Sequence, residues 1–181
     1  ALIHAVLIWY SFCNVVFCKK NSMIWLPKGE IMINKRDYNQ ETQDNQERKY
    51  FYNFDNDVMH PFILRSFLSY RKDVGRTLEL GSYQGHFSGL LYPYTESLTC
   101  VEASDEAITV AKENTKDTNI IYHNSLFDDV NLTGQFDTII MSHVLEHLED
   151  PVRTLKRVND EWLADEGYFF LACPNANAPS R

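Results

Sequence analysis

From residue 76 onward, short apolar segments alternate regularly with helix-like segments. Five segments have the composition of strands, namely 77–80, 98–101, 119–122, 136–141 and 167–173. Helices are predicted between or before them at 58–71, 84–92, 105–116 and 151–163. This order predicts an α/β fold, a doubly wound and mostly parallel sheet with helices on both faces. Ligands of such sheets bind beyond the carboxyl ends of the strands, so functional residues should follow each strand.

Charge and cysteine content exclude several function classes. The 181 residues carry a formal net charge of −8, which gives no general attraction to phosphate backbones, so we expect no nucleic-acid partner. The four cysteines include no C-x-x-C pair, which argues against a zinc site or a disulfide framework. Reduced cysteines favour a cytoplasmic location.

The first 31 residues differ in character from the rest. Residues 1–18 are nearly all apolar and are followed by Lys19 and Lys20, a pattern that fits a membrane anchor with the remaining chain facing the cytoplasm. A start at Met32, with residues 1–31 arising from upstream translation, and a buried helix are the other interpretations. Residues 32–56 are predicted to be a polar linker with an aromatic lid, and residues 57–181 the main domain.

A glycine turn follows the first predicted strand of the main domain. Gly81 permits a sharp turn, and Gly85 permits close packing of the next helix. Dinucleotide-binding enzymes use G-x-G-x-x-G, but Tyr83 occupies the second glycine position here. Glu79 would repel a pyrophosphate and attract an ammonium group. An NAD(P)-binding oxidoreductase therefore remains only the alternative.

A second carboxylate, Glu102, ends the next predicted strand about 21 residues after Gly81. At this position a carboxylate can accept hydrogen bonds from both ribose hydroxyls. The other interpretation is an ordinary acidic residue at a helix N-terminus.

Four segments together resemble the class I S-adenosylmethionine-dependent methyltransferase family. Residues 79–85 (ELGSYQG) are similar to its first motif and 101–104 (VEAS) to its second. Residues 136–151 (FDTIIMSHVLEHLEDP) are similar to its fourth-strand motif, and 167–174 (GYFFLACP) to its fifth strand. The resemblance covers residues 51–181 and is nearest to the small-molecule branch that includes quinone, sugar and polyketide methyltransferases. It implies a Rossmann-like fold and methyl transfer from S-adenosylmethionine to a small-molecule acceptor.

The resemblance also implies roles for single residues. Glu79 would hold the methionine amino group, Glu102 the ribose, and Ser142 with His143 the wall beside the sulfonium. Further cofactor contacts would come from Gly81, Ser82, Tyr83, Gly85, Ala103, Ser125 and Leu126, with Asp128 as a substitute acceptor near the adenine. His143 is the candidate general base if the acceptor needs one. Residues 51–54 and 57–60 would form a lid.

Residues 143–147 also match H-x-x-E-H, the signature of a class of zinc peptidases. Zinc binding by this motif requires both histidines on one face of a helix. The motif starts at a strand end and Pro151 interrupts the sequence after it, so we expect no metal.

The family normally continues past the fifth strand with two more strands. Without them the fifth strand would be an exposed apolar edge. We therefore expect either a fragment of a longer enzyme, which could be a catalytically inactive cofactor-binding piece, or a partner that covers this edge. The sequence leaves the oligomeric state and the acceptor open, and a membrane is a partner only if residues 1–18 are an anchor.

Overall fold

The computed structural model describes residues 5–9, 13–20, 39–40 and 54–174. Seven strands form one sheet, and their bounds are β1 Ala5–Trp9, β2 Cys13–Lys19, β3 Arg76–Leu80, β4 Ser97–Glu102, β5 Ile121–Asn124, β6 Phe136–Ser142 and β7 Leu163–Pro174. The α-helices are α1 His60–Tyr70, α2 His86–Leu91, α3 Asp105–Asn114 and α4 Pro151–Arg157. Short turns of π-helix at Asp55–Met59 and Val158–Trp162, and of 3₁₀-helix at Tyr92–Tyr94 and Leu145–His147, extend these elements.

The sheet has the order β1-β2-β7-β6-β3-β4-β5. Strands β3 to β7 pair in parallel, which confirms the predicted doubly wound α/β fold. From β3 the chain proceeds to β4 and β5 on one side, and β6 and β7 lie on the other side. The winding direction therefore reverses between β3 and β6, where a ligand is expected.

Both faces of the sheet are buried. Ile140 and Phe170 pack with α1 and α2 residues such as Phe67 in one cluster. Their chain neighbours Ile139 and Phe169 belong to a second cluster, which includes residues of the Val158–Trp162 turn. Because successive side chains of a strand point to opposite faces, two clusters on alternate residues place the core on both sides of the sheet.

The N-terminal residues add an antiparallel hairpin to this sheet. Strand β2 pairs with β7 over seven residues, from Cys13 opposite Pro174 to Lys19 opposite Tyr168, and β1 pairs with β2. The described N-terminal residues thus form strands, so the prediction of a buried helix here is wrong. The edge of β7, the fifth strand of the main domain, is covered by β2 of the same chain, a partner that the sequence analysis did not foresee. Among the described residues no helix is both long and apolar enough to cross a membrane.

Two predicted strand boundaries shift, one because of a local turn and one beside contacts from a distant part of the chain. Strand β5 begins at Ile121 rather than at residue 119, because the Thr118 N–H donates to the Thr115 carbonyl and closes a turn there. Strand β7 begins at Leu163 rather than at residue 167. Its early part carries Asp165 and Glu166, which pair with Lys20 and Lys19 at 3.0 and 3.1 Å.

Candidate active site

A cavity of about 920 Å³ opens at the carboxyl ends of β3, β4 and β6, where the winding direction reverses. This volume lies in the usual range of small-molecule sites, roughly 300–1,000 Å³. Nine of the eleven residues predicted to contact a cofactor line it, namely Glu79, Gly81, Ser82, Tyr83, Glu102, Ala103, Leu126, Ser142 and His143. The other two, Gly85 and Ser125, do not line it.

The turn after β3 contains two glycines that other parts of the chain approach closely. Gly81 has φ +79°, and a Cβ placed on it would lie 2.3 Å from Cγ2 of Val144, in the segment after β6. Gly85 has φ +76°, and its added Cβ would lie 3.0 Å from Cβ of Ala111 on α3. Gly81 therefore brings two strand ends together at the cavity, whereas Gly85 serves helix packing, as the sequence predicted for it.

Glu102 connects the turn to the end of β4. Its Oε2 accepts the N–H of Tyr83 at 2.9 Å, and its Oε1 accepts the N–H of Ser104 at 2.9 Å. A carboxylate has about four lone-pair sites, so both oxygens keep capacity for ligand hydroxyls. Glu102 thus has a structural role beside its predicted ribose contact.

Glu79 is a buried carboxylate, 2% exposed, on the cavity wall. Its Oε2 accepts a hydrogen bond from Sγ of Cys100 at 3.4 Å. Burial raises the pKa of Glu79 from 4.5 to about 7, against the hydrogen bonds from Ser88 and Cys100, which lower it. An ionised Glu79 needs a positive ligand group beside it, since a buried charge is costly unless it is paired.

Ser142 is the last residue of β6 and His143 follows it, and both line the cavity. The His143 N–H donates to the carbonyl of Ala172 at 2.8 Å, and its Nδ1 lies 3.8 Å from Oε1 of Glu146. Burial lowers the pKa of His143, although the charges of Glu146 and Asp55 oppose this. His143 is therefore inclined to the neutral form, in which an imidazole can accept a proton.

The two non-glycine residues with positive φ in the described chain are Tyr83, at 46°, and His143, at 55°. Both line the cavity. A non-glycine residue with positive φ costs on the order of 1–3 kcal/mol, and such residues tend to occur at functional sites. Nothing in the sequence marked either residue for this conformation.

The H-x-x-E-H segment does not form the helix that zinc binding by its histidines would require. His143 precedes a 3₁₀ turn that contains Glu146 and His147, and Oε1 of Glu146 lies 3.9 Å from Nε2 of His147. Among the described residues no group of three His, Cys, Asp or Glu side chains could hold a metal ion.

The predicted lid is described only from residue 54 onward, so residues 51–53 lie outside the described chain. Of the predicted helix start, Met59 and His60 line the cavity, and Asp57 does not. Asp55 and Asn56 on the preceding π-helical turn line it too. Burial, with a smaller effect of the neighbouring histidines His143 and His86, lowers the pKa of His60 to about 4.

Several lining residues were missed by the sequence analysis. They are Gln84, Phe87, Phe127, Leu148, Glu149, Asp150 and Thr154. Phe127 adjoins the predicted Leu126, so an apolar pair after β5 was a usable signal. Asp128, the substitute acceptor, does line the cavity and lies 3.3 Å from Arg153.

The side chains of the cavity fit S-adenosylmethionine. A sulfonium and an ammonium group are positive, and the described lining residues include seven carboxylates and neither lysine nor arginine. Ser82 is 4% exposed, and its buried Oγ has no partner within the described chain. The same carboxylates would repel a pyrophosphate, so the cavity does not fit a dinucleotide.

Comparison with known proteins agrees with this geometry. Residues 47–181 match the model of a methyltransferase domain family. Nodulation protein S of Azorhizobium caulinodans is 30% identical over 105 residues, covering 57% of this chain and 51% of that protein. The chain thus spans about half the length of this curated relative.

Solved structures are similar as well. The N-methyltransferase NodS from Bradyrhizobium japonicum WM9, in complex with S-adenosyl-L-homocysteine, has a TM-score of 0.60 and 25% identity, covering 71% of this chain and 69% of that one. The DhpI–SAH complex has a TM-score of 0.60 at 21% identity, covering 71% and 63%, and shows the fold alone. The match over most of the chain, together with the cavity at the reversal point, places this protein in the methyltransferase domain family, within the class I S-adenosylmethionine-dependent methyltransferases.

Proposed function

We propose that this chain transfers the sulfonium methyl group of S-adenosylmethionine to a small-molecule acceptor. The observation that carries the proposal is a buried carboxylate, Glu79, beside the glycine turn, in a cavity whose described lining has no lysine or arginine. S-adenosylmethionine would supply an activated methyl carbon. An aligned nucleophile would attack this carbon in line as the C–S bond breaks, and the bonding electrons would stay on sulfur.

The residues divide the cavity between cofactor and acceptor. Glu79 binds the ammonium group of the methionine part, and Glu102 accepts hydrogen bonds from the ribose hydroxyls. Leu126 is 45% exposed although it is a large apolar residue, and with Phe127 it offers an apolar surface to the adenine. The protein thereby orients the cofactor without covalent chemistry.

Ser142 and His143 face the region left for the acceptor. Alignment of acceptor and methyl group supplies much of the rate, up to about 7–11 kcal/mol in favourable cases. His143 accepts the proton of an acceptor that must lose one, which contributes typically about 10²–10⁴-fold. NodS is an N-methyltransferase, which supports nitrogen as one acceptor atom.

We further propose a cytoplasmic location. The three cysteine side chains that the structure describes, Cys18, Cys100 and Cys173, are free thiols. Free thiols are typical of a reducing compartment.

Titration calorimetry tests the cofactor assignment. The full chain is titrated with S-adenosylmethionine, S-adenosylhomocysteine and NAD, and we expect binding of the first two only. Glu79→Gln keeps the shape of the side chain and removes its charge, so it should weaken binding at least about tenfold, as for a charge-assisted hydrogen bond of roughly 1.5–3 kcal/mol. Glu96→Gln, at an exposed glutamate outside the cavity, is the matched control. Tighter binding of NAD, or equal binding by Glu79→Gln, would overturn the proposal.

A further inference from the structure

A buried thiol contacts the carboxylate of Glu79 from inside the core. Cys100 on β4 lies opposite Glu79 on β3, and its Sγ donates a hydrogen bond to Oε2 of Glu79 at 3.4 Å. The Oγ atom of Ser88, on α2, lies 3.8 Å from the same sulfur. Cys100 and Ser88 are both 0% exposed, and neither lines the cavity. Glu79 therefore has the cavity on one side and a buried hydrogen-bond donor on the other.

The Cys100 thiol keeps the proton that it donates. Burial, together with the charge of Glu79, raises the pKa of Cys100 well above its usual value. Burial of a thiol does not by itself place it beside a carboxylate. Cys18 is 5% exposed, and its sulfur donates to the backbone carbonyl of Phe169 at 4.0 Å. The contact of Cys100 with a carboxylate thus distinguishes it from an ordinary core cysteine.

The surroundings of this pair contribute one further charge within the described chain. Glu102 on β4 is negative and raises the pKa of Glu79 slightly, in addition to the larger effect of burial. Tyr122 on β5 lies opposite Cys100, and burial raises its pKa to about 12, so it is neutral. The residue opposite Glu79 on β6 is the apolar Ile140. Ionisation of Glu79 is therefore opposed by burial and by Glu102, and it is favoured by the donors behind it.

We propose that Cys100 is a positioning residue for cofactor binding, whose thiol holds Oε2 of Glu79 and stabilises the ionised carboxylate that binds the ammonium group. This inference rests on the proposed function, in which Glu79 makes that contact. A carboxylate has about four lone-pair sites, so Glu79 can accept from the thiol and from an ammonium group at once. A hydrogen bond to the charged form of a group favours that form. Loss of the thiol should therefore make Glu79 harder to ionise.

The pH dependence of S-adenosylhomocysteine binding tests this role. The full chain, Cys100→Ala and Cys100→Ser are titrated by calorimetry at pH 6 and pH 8. We expect Cys100→Ala to bind about three- to tenfold more weakly than the native chain at pH 6, the factor for one ordinary hydrogen bond. At pH 8, where Glu79 is mostly ionised in both proteins, the two affinities should agree within about twofold. Cys100→Ser keeps a donor and should restore the native affinity at pH 6.

Two controls separate this role from packing. Cys18→Ala removes another buried thiol, which does not line the cavity, and should leave the affinity unchanged at both pH values. In the Glu79→Gln background, Cys100→Ala should cause no further loss, because the amide has no charge to stabilise. A native pH profile in Cys100→Ala overturns the proposal. A loss of equal size at both pH values, or a loss that persists in the Glu79→Gln background, overturns it too.

A spectroscopic measurement on the native chain does not depend on the folding of a Cys100 variant. Binding of S-adenosylhomocysteine at pH 6 should ionise Glu79, and a charged acceptor strengthens the hydrogen bond from the thiol. An infrared S–H stretching band should therefore move to lower frequency on binding, and it should not move in Glu79→Gln. An unchanged S–H band in the native chain also overturns the proposal.

The titration of the native chain separates the two claims. Failure of S-adenosylhomocysteine to bind contradicts the proposed function itself. Normal binding, without the expected effect of Cys100→Ala, contradicts the role of Cys100 alone.

Discussion

The protonation of Glu79 should couple pH, stability and cofactor binding. Its folded-state pKa is raised by burial from 4.5 to about 7. The folded protein therefore holds this proton more tightly than the unfolded chain does. The stabilisation is fully present below pH 4.5 and is lost as pH rises through about 7. At about 1.4 kcal/mol per pKa unit, this interval corresponds to roughly 3 kcal/mol.

The perturbation is Glu79→Gln, which cannot lose a proton. We expect the unfolding free energy of the native chain to fall between pH 5 and pH 8 by about 2–3 kcal/mol more than that of the variant. Urea denaturation at both pH values, followed by tryptophan fluorescence, measures this difference. Glu96→Gln, at an exposed position, should retain the native pH dependence.

Cofactor binding should also release the proton of Glu79. At pH 6 the empty site holds Glu79 mostly protonated, and an ammonium ligand favours the ionised form, so binding should release close to one proton. Calorimetry in two buffers of different ionisation enthalpy measures this number. Parallel pH profiles of stability for the native chain and Glu79→Gln, with no proton release on binding, would contradict a protonated Glu79 in the empty site.

Three further changes test other contacts. Gly81→Ala should lower the free energy of unfolding by about 2–4 kcal/mol in thermal unfolding, because the new residue would have a positive φ and its Cβ would overlap with Val144. Adding Val144→Ala should restore part of this stability, and no recovery would contradict the close approach of the two residues. Glu102→Gln should lower the free energy of unfolding by about 1–3 kcal/mol in urea denaturation even without ligand, because the side-chain amide N–H would face a backbone N–H donor. If the variant changed only cofactor binding, the contacts of Glu102 with the turn would contribute no stability. Val16→Pro, in the middle of β2 opposite Leu171, should lower the melting temperature and promote aggregation in light scattering; an unchanged protein would contradict the pairing of β2 with β7.

The parallel part of the fold was predictable because its signals are local. The central strands β4 and β6 contain short apolar runs, and Ser104 marks the start of α3 by accepting the Ala107 N–H at 3.1 Å. A glycine turn with carboxylates at neighbouring strand ends placed Glu79 and Glu102 at one edge. Strand register then follows from the pairing of apolar residues.

The N-terminal hairpin was not predictable in this way. Lys19 and Lys20 had the pattern of a membrane flank, yet they pair with Glu166 and Asp165 about 146 residues away. Pairing across such a separation leaves no periodicity in either segment. The helical interpretation rested on apolar composition alone, which does not distinguish a buried strand from a helix.

The details of the site were hidden for a similar reason. The close approach of Gly81 to Val144 and the ion pair of Asp128 with Arg153 join separate elements. Their distances depend on how helices and loops pack over the sheet. Sequence spacing predicted which strand ends carry the site, but it did not predict how many carboxylates line the cavity.

A crystal structure of the full chain with S-adenosylhomocysteine would show directly where the cofactor binds. We expect ligand density in the cavity at the ends of β3, β4 and β6, with the amino group at Glu79, the ribose at Glu102 and the adenine beside Leu126. Density outside this cavity, or a ligand bound there with the adenine at Glu79, would contradict this expectation.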